Sequence, residues 1–392
     1  MKKKMFFFAA VAATLTLGVT SCNNDSDETL DKGVAQQSAI RFAPLIDQTV
    51  ETRGLAVTSS NYTTQMKSIG VFGFFNAKAS GTGVTAGKQY VGTNAYTGIE
   101  IAYSNGAWNY VKSTDVGYWP SESAPLDFYA IHPFDVTDVT SCGSTVTPNI
   151  TSSGETVAFV NEPSDDDTGT DVDLMYACAS AQTKSSNATK VPLYFKHALS
   201  QLVFKGKLSE STLSVDVKNV EIHNIASSGT FSFANATTTS SSAGAGSWAV
   251  GKTYADYVGG EGGQVTSTST AVDLVADDNA FMLIPQTLTP WTTTDSNPVT
   301  ISTADSGCQS YLKINCKITS AGAYLVGSDD SYGAVYVPFG AELGKKLEMG
   351  KKYTITLNFG VGYNEQGERS ASKITYTVTV QDWTNGSASI AL

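Results

Sequence analysis

One segment of the chain matches the pattern of a phosphate-binding loop. Residues 246–253 read GSWAVGKT, which has the spacing G-x-x-x-x-G-K-T. Such a loop binds phosphate only between a buried strand and a helix N-terminus, because backbone N–H groups and the helix dipole supply the attraction. Here a Thr/Ser/Ala/Gly tract at 235–247 precedes the match, and paired glycines at 259–260 and 262–263 follow it. The sequence therefore predicts neither a nucleotide site nor a bound cofactor.

A second chemical signal is a run of carboxylates that could bind a calcium ion. Five aspartates share this run: Asp165, Asp166, Asp167, Asp171 and Asp173. Their spacing differs from that of an EF-hand loop, since Gly169 stands at position five and no glutamate closes the loop. The sequence favours a solvated acidic loop over residues 165–173 and leaves an ion site as the alternative.

Side chains suited to catalysis are scarce. The three histidines are His132, His197 and His223, and no G-x-S-x-G motif accompanies them. Each lies in or beside a predicted strand, where a structural histidine is the simpler interpretation. No facing pair of carboxylates for glycoside hydrolysis can be placed either. We predict no catalytic residue, no metal site and no enzymatic activity.

The N-terminus carries the signals of export and lipidation. Lys2, Lys3 and Lys4 precede an apolar stretch that ends in small residues directly before Cys22. This arrangement resembles the lipobox of bacterial lipoproteins, in which the cysteine thiol is acylated and becomes the first mature residue. We predict a lipoprotein signal peptide at residues 1–21 and lipidation of Cys22, with a plain signal peptide as the alternative.

Four further cysteines could form disulfides in an oxidising compartment. They are Cys142, Cys178, Cys308 and Cys316. Four cysteines allow three sets of pairs that sequence cannot distinguish, so the disulfide state stays open. No C-x-x-C pair is present in the chain, which excludes a zinc ribbon.

The elements that must position these residues are strands. Charged residues make up 16% of the 392 residues and the net charge is −11, which excludes a general nucleic-acid binder because such a protein needs a basic face. Apolar and polar residues alternate in short runs such as 352–359 and 373–380, and β-branched and aromatic types are frequent there. Asn105 and Gly106 predict a tight hairpin turn. The pattern predicts an all-β fold made of β-sandwiches.

A short polar segment near the middle of the chain, residues 185–190, predicts a junction between two domains. The predicted division is a signal peptide at 1–21, an acidic tether and first strand at 22–53, an N-terminal β-sandwich at 54–189 and a C-terminal β-sandwich at 190–392. No stretch after the signal peptide approaches the roughly 20 apolar residues of a membrane-spanning helix.

A set of short sequence motifs is distributed along nearly the whole exported chain. The motifs are residues 40–42, 52–54, 117–120, 126–133, 173–177, 191–202, 220–222, 229–231, 282–286, 350–353 and 382–383. Together they resemble the FimA/Mfa-like fimbrillins, the lipoprotein-derived type V pilins of Bacteroidota-type bacteria. The resemblance implies two transthyretin-like β-sandwich domains with Greek-key-like topology. It also implies an outer-membrane lipoprotein precursor that becomes part of a cell-surface fimbria.

The family resemblance also implies that an arginine-specific protease removes the N-terminal segment with its first strand. A strand of another pilin subunit then fills the groove. The residues give this route a physical basis, because Ile40, Phe42 and Ile46 could line a core while Arg41 stays outside. Loss of the segment 22–53 would leave unpaired backbone groups beside apolar pockets.

The predicted cleavage site is the bond between Arg53 and Gly54. Small residues surround it, as in an accessible loop, and an ordinary surface arginine is the alternative interpretation. We therefore predict a structural or adhesive fimbrial subunit processed after Arg53 and assembled by strand addition. Its predicted partners are other pilin subunits, the protease and, through the lipid anchor, the outer membrane, but no nucleic acid. The adhesion ligand and the position in the fibre, stalk or tip, stay open.

The alternative function is a lipid-anchored surface protein that binds glycans. Tyr118, Trp119 and Phe128 could form a platform on which a sugar ring stacks, although aromatic residues of strands more often belong to a core.

Overall fold

The computed structural model describes residues 38–46, 62–76, 87–92, 98–120, 124–134, 144–151, 154–161, 172–187, 189–233, 246–260, 262–294, 296–360, 363–368 and 374–382. Nearly all regular structure in these ranges is β-strand. The prediction of an all-β fold is confirmed.

Ten of the described strands precede residue 198. They are β1 Phe42–Ile46, β2 Ser68–Phe75, β3 Gln89–Val91, β4 Ile99–Ser104, β5 Ala107–Tyr110, β6 Leu126–His132, β7 Thr145–Thr151, β8 Gly154–Val160, β9 Met175–Gln182 and β10 Val191–His197. The later strands are β11 Ser200–Leu208, β12 Leu213–Ala226, β13 Ser228–Ser232, β14 Ser247–Val250, β15 Tyr254–Gly259, β16 Gly263–Val265, β17 Val272–Val275, β18 Phe281–Leu283, β19 Gln286–Thr287, β20 Tyr311–Ser320, β21 Ala323–Val326, β22 Gly333–Pro338, β23 Lys346–Leu347, β24 Lys351–Phe359 and β25 Thr375–Asp382. The helices are α1 Tyr62–Gln65 and α2 Ile301–Ser306, and 3₁₀ turns lie at Ser113–Asp115 and Asp277–Asn279.

Four larger sheets contain most of these strands. Sheet 1 has the order β1-β10-β9-β6-β2-β4-β5, with β3 beside β2, and sheet 2 has the order β14-β13-β8-β7. Sheet 3 has the order β17-β11-β24-β25, with β18 beside β11. Sheet 4 has the order β15-β12-β20-β21, with β16 beside β12 and β22 beside β20, and β19 pairs separately with β23.

Many of the strands form because one of their sides buries apolar residues. In β24 the buried residues Tyr353, Ile355, Leu357 and Phe359 alternate with half-buried polar ones. The hairpin of β4 and β5 turns at Asn105 and Gly106, whose φ angles of 52° and 81° fit the type I′ turn predicted for this pair. Local sequence therefore sets both the periodicity and the turn.

The described residues form four apolar clusters, of which the smallest surrounds Trp291 and Tyr311, and the three larger ones lie against the sheets. One contains residues of sheets 3 and 4, and includes Phe204, Ile314 and Leu357. A second contains residues of sheets 1 and 2, and includes Phe72 and Phe231. The third contains residues from strands across sheet 1, from β1 at one end to β4, with Trp108 and Tyr110 of the other end strand, β5, packed against them. Sheet 1 therefore curls around a core of its own.

The loop between β9 and β10 contains the predicted domain junction. These two strands are antiparallel neighbours in sheet 1, with His197 opposite Met175. The chain passes from sheet 1 to sheet 3 later, between β10 and β11. Sheet 2 combines β7 and β8 with β13 and β14, and Phe231 of β13 lies opposite Val157 of β8. The division into domains at 54–189 and 190–392 stays a prediction.

Cleavage of the loop between β9 and β10 should leave the two fragments in one complex, because strands on both sides of the cut share sheets 1 and 2. We expect a specific protease site introduced between Ser185 and Ser186 to give two bands on a denaturing gel after cutting. The same sample should give one peak at the uncut elution volume in native size-exclusion chromatography. Two separately eluting fragments would contradict the prediction that shared strands in sheets 1 and 2 hold the two fragments together.

Candidate functional site

The first strand lies at one edge of sheet 1. β1 runs parallel to β10, with Phe42 opposite Val191 and Ile46 opposite Phe195. The Val191 N–H donates a hydrogen bond of 2.7 Å to the Arg41 carbonyl. Among the described strands β10 is the neighbour of β1, so β1 covers the edge of β10.

The beginning of the segment 38–46 is held on its other side as well. The Ile40 N–H donates to the Gly117 carbonyl over 2.8 Å, and the Trp119 N–H donates to the Ser38 carbonyl over 3.0 Å. The segment is thus inserted between β10 and the stretch that follows β5. Its removal would leave a groove with unpaired backbone groups on both walls.

The side chains of the segment complete the core of sheet 1. Ile40 is 0% and Phe42 is 2% exposed, whereas Arg41 is exposed. The Phe42 ring packs edge-on against Phe128, with centroids 5.2 Å apart, and lies 6.3 Å from Tyr110. Burial of side chains of this size stabilises a fold by about 1.5–3 kcal/mol each. Two such anchors hold the strand firmly, and their role in a removable strand stays a prediction.

Tyr110 joins the two ends of sheet 1. Its hydroxyl donates a hydrogen bond of 2.7 Å to the Ile40 carbonyl and accepts one of 3.4 Å from the Gly117 N–H. Burial raises the pKa of Tyr110 to about 12, so the hydroxyl keeps its proton at neutral pH. The sequence did not predict the contact between Tyr110 and Ile40, although residues 117–120 are one of the motifs that carry the family resemblance. A Cβ at position 117 would lie 3.2 Å from Val91 Cγ2, so a larger residue there would crowd Val91.

Several predicted site residues lie outside the described residues. They are Cys22, Arg53 and Gly54, together with Cys142 and most of the acidic run 165–173. Lipidation and cleavage at these positions stay predictions.

The segment that matches the phosphate-binding pattern forms part of a β-hairpin. β14 pairs antiparallel with β13, and the strand β15 follows it where a nucleotide site would need a helix. The glycines serve packing, since a Cβ on Gly246 would lie 2.1 Å from Phe231 and one on Gly251 would lie 2.3 Å from Ser228. The arrangement gives phosphate no helix N-terminus.

Two of the histidines are bound by neighbouring polar groups. His197 Nδ1 lies 2.9 Å from Asp173 Oδ1, and both side chains are 3% exposed. His132 Nδ1 lies 3.1 Å from the Ser68 carbonyl, and burial lowers the pKa of His132. Asp173, the last aspartate of the acidic run, is therefore a buried partner of His197.

The third histidine lies in a network on sheet 4. His223 Nε2 is 2.9 Å from Glu221 Oε2, and His223 Nδ1 is 3.0 Å from Asp256 Oδ2. The ring stacks on Tyr311 with centroids 4.6 Å apart, and Lys313 Nζ lies 3.1 Å from Glu221 Oε1. Burial alone would lower the pKa of His223, but hydrogen bonds with the two carboxylates raise it to about 9. At neutral pH the network holds a charged imidazolium between two carboxylates.

The aromatic residues of the alternative sugar platform do not share one surface. Trp119 is 4% and Phe128 is 0% exposed, and the two rings pack edge-on in the core. Tyr118 is 44% exposed. The proposed platform is therefore wrong, because two of its three rings are unavailable to a ligand.

The described part of the chain contains no group of three or more His, Cys, Asp or Glu side chains arranged to hold a metal ion. Cys178, Cys308 and Cys316 carry free thiols. None of the described helices is long and apolar enough to cross a membrane.

Comparison with protein families gives one match, to a family described as fimbrillin-like, over residues 52–383. Comparison with curated proteins gives no match. The match covers most of the chain, including both sides of the predicted domain junction.

Comparison with solved structures gives similar chains from species of Bacteroides and Porphyromonas. A fimbrial protein from Bacteroides vulgatus is 18% identical with a TM-score of 0.55, and the alignment covers 86% of this chain and 99% of that one. A fimbrilin from Porphyromonas gingivalis is 10% identical with a TM-score of 0.44, covering 91% of this chain and 100% of that one. The likeness to the first of these shows a shared fold.

Removal of the Tyr110 hydroxyl should loosen the first strand. We expect Tyr110→Phe to weaken the attachment of the segment 38–46 to sheet 1 by about 1 kcal/mol, because the Ile40 carbonyl loses a hydrogen-bond donor. Hydrogen exchange of the amides in 38–46 should become faster. Tyr332→Phe is the matched control, since it removes an exposed hydroxyl that donates to Asp216 in sheet 4. Equal exchange in both variants would show that Tyr110 does not hold the strand.

The His223 network should stabilise the fold most at lower pH. The pKa of His223 is raised from 6.5 to about 9, so its contribution is complete below pH 6.5 and disappears as the pH rises through about 9. We expect a loss of about 3 kcal/mol in the free energy of unfolding across this interval, measured by chemical denaturation. His223→Gln should lack that loss, and an identical pH profile in the variant would refute the assignment.

Proposed function

This chain belongs to the fimbrillin-like family, and we propose that it is a structural or adhesive subunit of a cell-surface fimbria. Family membership implies assembly with other fimbrial subunits. The observation that carries the proposal further is the segment 38–46, which is inserted between β10 and the stretch after β5. A segment held by backbone pairing and two buried anchors is the kind of element that another strand of similar pattern can replace.

The proposed precursor is an outer-membrane lipoprotein. The support is the sequence at the N-terminus, where an apolar stretch and small residues precede Cys22. Several acyl chains on this cysteine would anchor the subunit until processing releases it.

Processing after Arg53 is the next proposed step. The chain contains three arginines, Arg41, Arg53 and Arg369, so an arginine-specific protease has few choices. The Arg41 carbonyl accepts a hydrogen bond from β10, which opposes the extended binding that a protease requires at that site. Cleavage after Arg53 would disconnect the segment 38–46 from the rest of the chain.

Strand addition completes the proposed route. Release of β1 would expose the edge of β10. It would also open the apolar pockets in which Ile40 and Phe42 are buried. An extended strand of another subunit would then pair with β10 and place alternate side chains in those pockets. The proposed architecture for this exchange is two transthyretin-like domains.

We propose no enzymatic role. The histidines contact carboxylates and a carbonyl inside the fold, which accounts for them as structural groups. The glycan-binding alternative has lost its aromatic platform, and no other observation favours it.

The Arg53→Ala variant tests the processing route. We expect it to remain unprocessed and to form no fibres, while its thermal unfolding matches that of the parent, because Arg53 lies outside the segment 38–46 that packs on sheet 1. Arg53→Lys is the control that keeps the charge, and it should also resist an arginine-specific protease. Arg41→Lys should be processed normally. Fibres of normal length from Arg53→Ala, with residues 38–46 retained, would exclude strand removal as the mechanism.

A further inference from the structure

The last described strand, β25, forms one end of sheet 3. It pairs antiparallel with β24, from Asp382 opposite Lys351 to Thr375 opposite Asn358. It has eight residues, whereas the other strands that end a sheet, β1, β5, β7, β14, β15, β17 and β21, have four to seven. β25 is therefore the longest edge that the four described sheets present.

The residues of β25 do not protect this edge. Natural sheets blunt an edge with short strands, prolines or charged side chains. Among the longer end strands, β7 has Pro148 at its middle and β15 contains Asp256. β25 has no proline, and its one charged residue, Asp382, is the last. A long edge without such protection is suited to pairing with another strand.

The later half of β25 is open to solvent. Its apolar side is buried at Tyr376, half-buried at Val378 and 48% exposed at Val380. Thr377 and Thr379 on its other side are exposed. Among the described strands, β24 is the neighbour of β25. The sheet therefore ends with an apolar side chain that a further strand would cover.

The hydrogen bonds on the far side of β24 show which backbone groups of β25 face the free edge. The Phe359 carbonyl accepts a hydrogen bond of 3.0 Å from the Ser209 N–H, so Phe359 of β24 faces β11. The N–H and C=O of one strand residue point to the same side, and the direction alternates along the strand. Thr356 therefore faces β25 and exchanges hydrogen bonds with Thr377, the residue opposite it.

Three residues of β25 consequently present both backbone groups to the free edge. They are Tyr376, Val378 and Val380. Two copies of this strand, placed antiparallel with Val378 opposite Val378, match every one of these donors with an acceptor. Val378 exchanges hydrogen bonds with its counterpart, and Tyr376 exchanges them with Val380 on either side. The exposed Val380 side chain gains the Tyr376 ring of the other copy as its cross-strand neighbour.

The distribution of charge also fits a second copy. Residues 375–381 carry no charge, so two such strands approach without local repulsion although the chain has a net charge of −11. The same register places Asp382 opposite Ile374 of the other copy, and Lys373 precedes Ile374 in the sequence. Opposite charges are thus neighbours at both ends of the paired strands.

We propose that β25 is a contact strand for a second copy of this chain, paired antiparallel around Val378. The contact has two-fold symmetry, so it closes a pair and cannot extend a fibre by itself. It is separate from strand addition at β10 and needs no processing. One pair of strands is small beside the roughly 1,200 Å² of a stable interface, so free subunits associate weakly. In a fimbria many such contacts would join neighbouring fibres side by side, a step that rests on the proposed function.

The first test traps the pair at its two-fold axis. Val378→Cys in the full, uncut chain should form a disulfide-linked dimer under mild oxidation, because the two Cα atoms at 378 would lie about 5.5 Å apart. Val380→Cys is the control, since its two Cα atoms would lie about 13 Å apart in the same register. We expect at least about tenfold more dimer from Val378→Cys on a non-reducing gel. Equal yields from the two variants, or no dimer from a folded Val378→Cys chain, overturn the proposal.

The second test removes the central donor. Val378→Pro deletes an N–H that faces the free edge and keeps the hydrogen bonds with β24. We expect about a thirtyfold lower association constant in sedimentation velocity, because the pair loses two symmetry-related hydrogen bonds. Val378→Thr keeps the N–H and the branched shape and should associate like the parent. A folded Val378→Pro chain that associates as strongly as the parent contradicts the assignment.

Two further comparisons identify the occupant of the edge and separate this proposal from the proposed function. Dimers that form only after removal of residues 383–392 would show that the chain's own C-terminal residues occupy β25, and the second-copy assignment would be wrong. If uncut Val378→Cys is trapped but the processed parent forms no fibres, the contact stands and the proposed function fails. If the processed parent forms fibres but Val378→Cys gives no dimer, the proposed function stands and the contact is wrong.

Discussion

Every strand at the edge of a sheet carries backbone groups that must be paired, protected or left open to other chains. In sheet 1 the segment 38–46 meets this requirement for β10. It also supplies Ile40 and Phe42 to the core around which the sheet curls. The same few residues therefore close an edge and fill a core. Any process that removes them changes the surface chemistry of the subunit without cutting through its other sheets.

The remaining scaffold is tied together where the chain leaves sheet 1. Between β10 and β11 the Ala198 N–H donates to the Leu174 carbonyl, and the Ala198 carbonyl accepts from the Trp248 indole over 2.7 Å. The Leu199 carbonyl accepts from the Gly350 N–H over 2.9 Å. Bonds from three separate parts of the chain thus fix this connection. Sheet 2 also combines β7 and β8 with β13 and β14 from later in the chain. These hydrogen bonds and the shared sheet connect sheet 1, which holds the segment 38–46, to the other sheets.

Side chains that could perform chemistry are mostly used to hold this framework. Asp127 accepts hydrogen bonds from the Asn76 amide, the Ser180 hydroxyl and the Ala181 N–H. Asn161 donates from its amide to the Met282 carbonyl, which connects sheets 2 and 3. Buried polar groups with partners of this kind stabilise one arrangement of strands, because an unpaired group would cost more than its hydrogen bond contributes. This use of polar residues fits a subunit whose function is assembly.

The sequence alone determined the features that depend on neighbouring residues. Alternation in β1 and β24 fixed which side chains face inward, and Asn105 with Gly106 fixed a turn, because side-chain direction and φ are local properties. The sequence did not reveal that β1 pairs in parallel with β10, or that Tyr110 holds its beginning. The edge strand β7 has only a weak signal in the sequence, because Pro148 lies at its middle. Partner, direction and register depend on contacts between distant residues, so only the tertiary structure decided them.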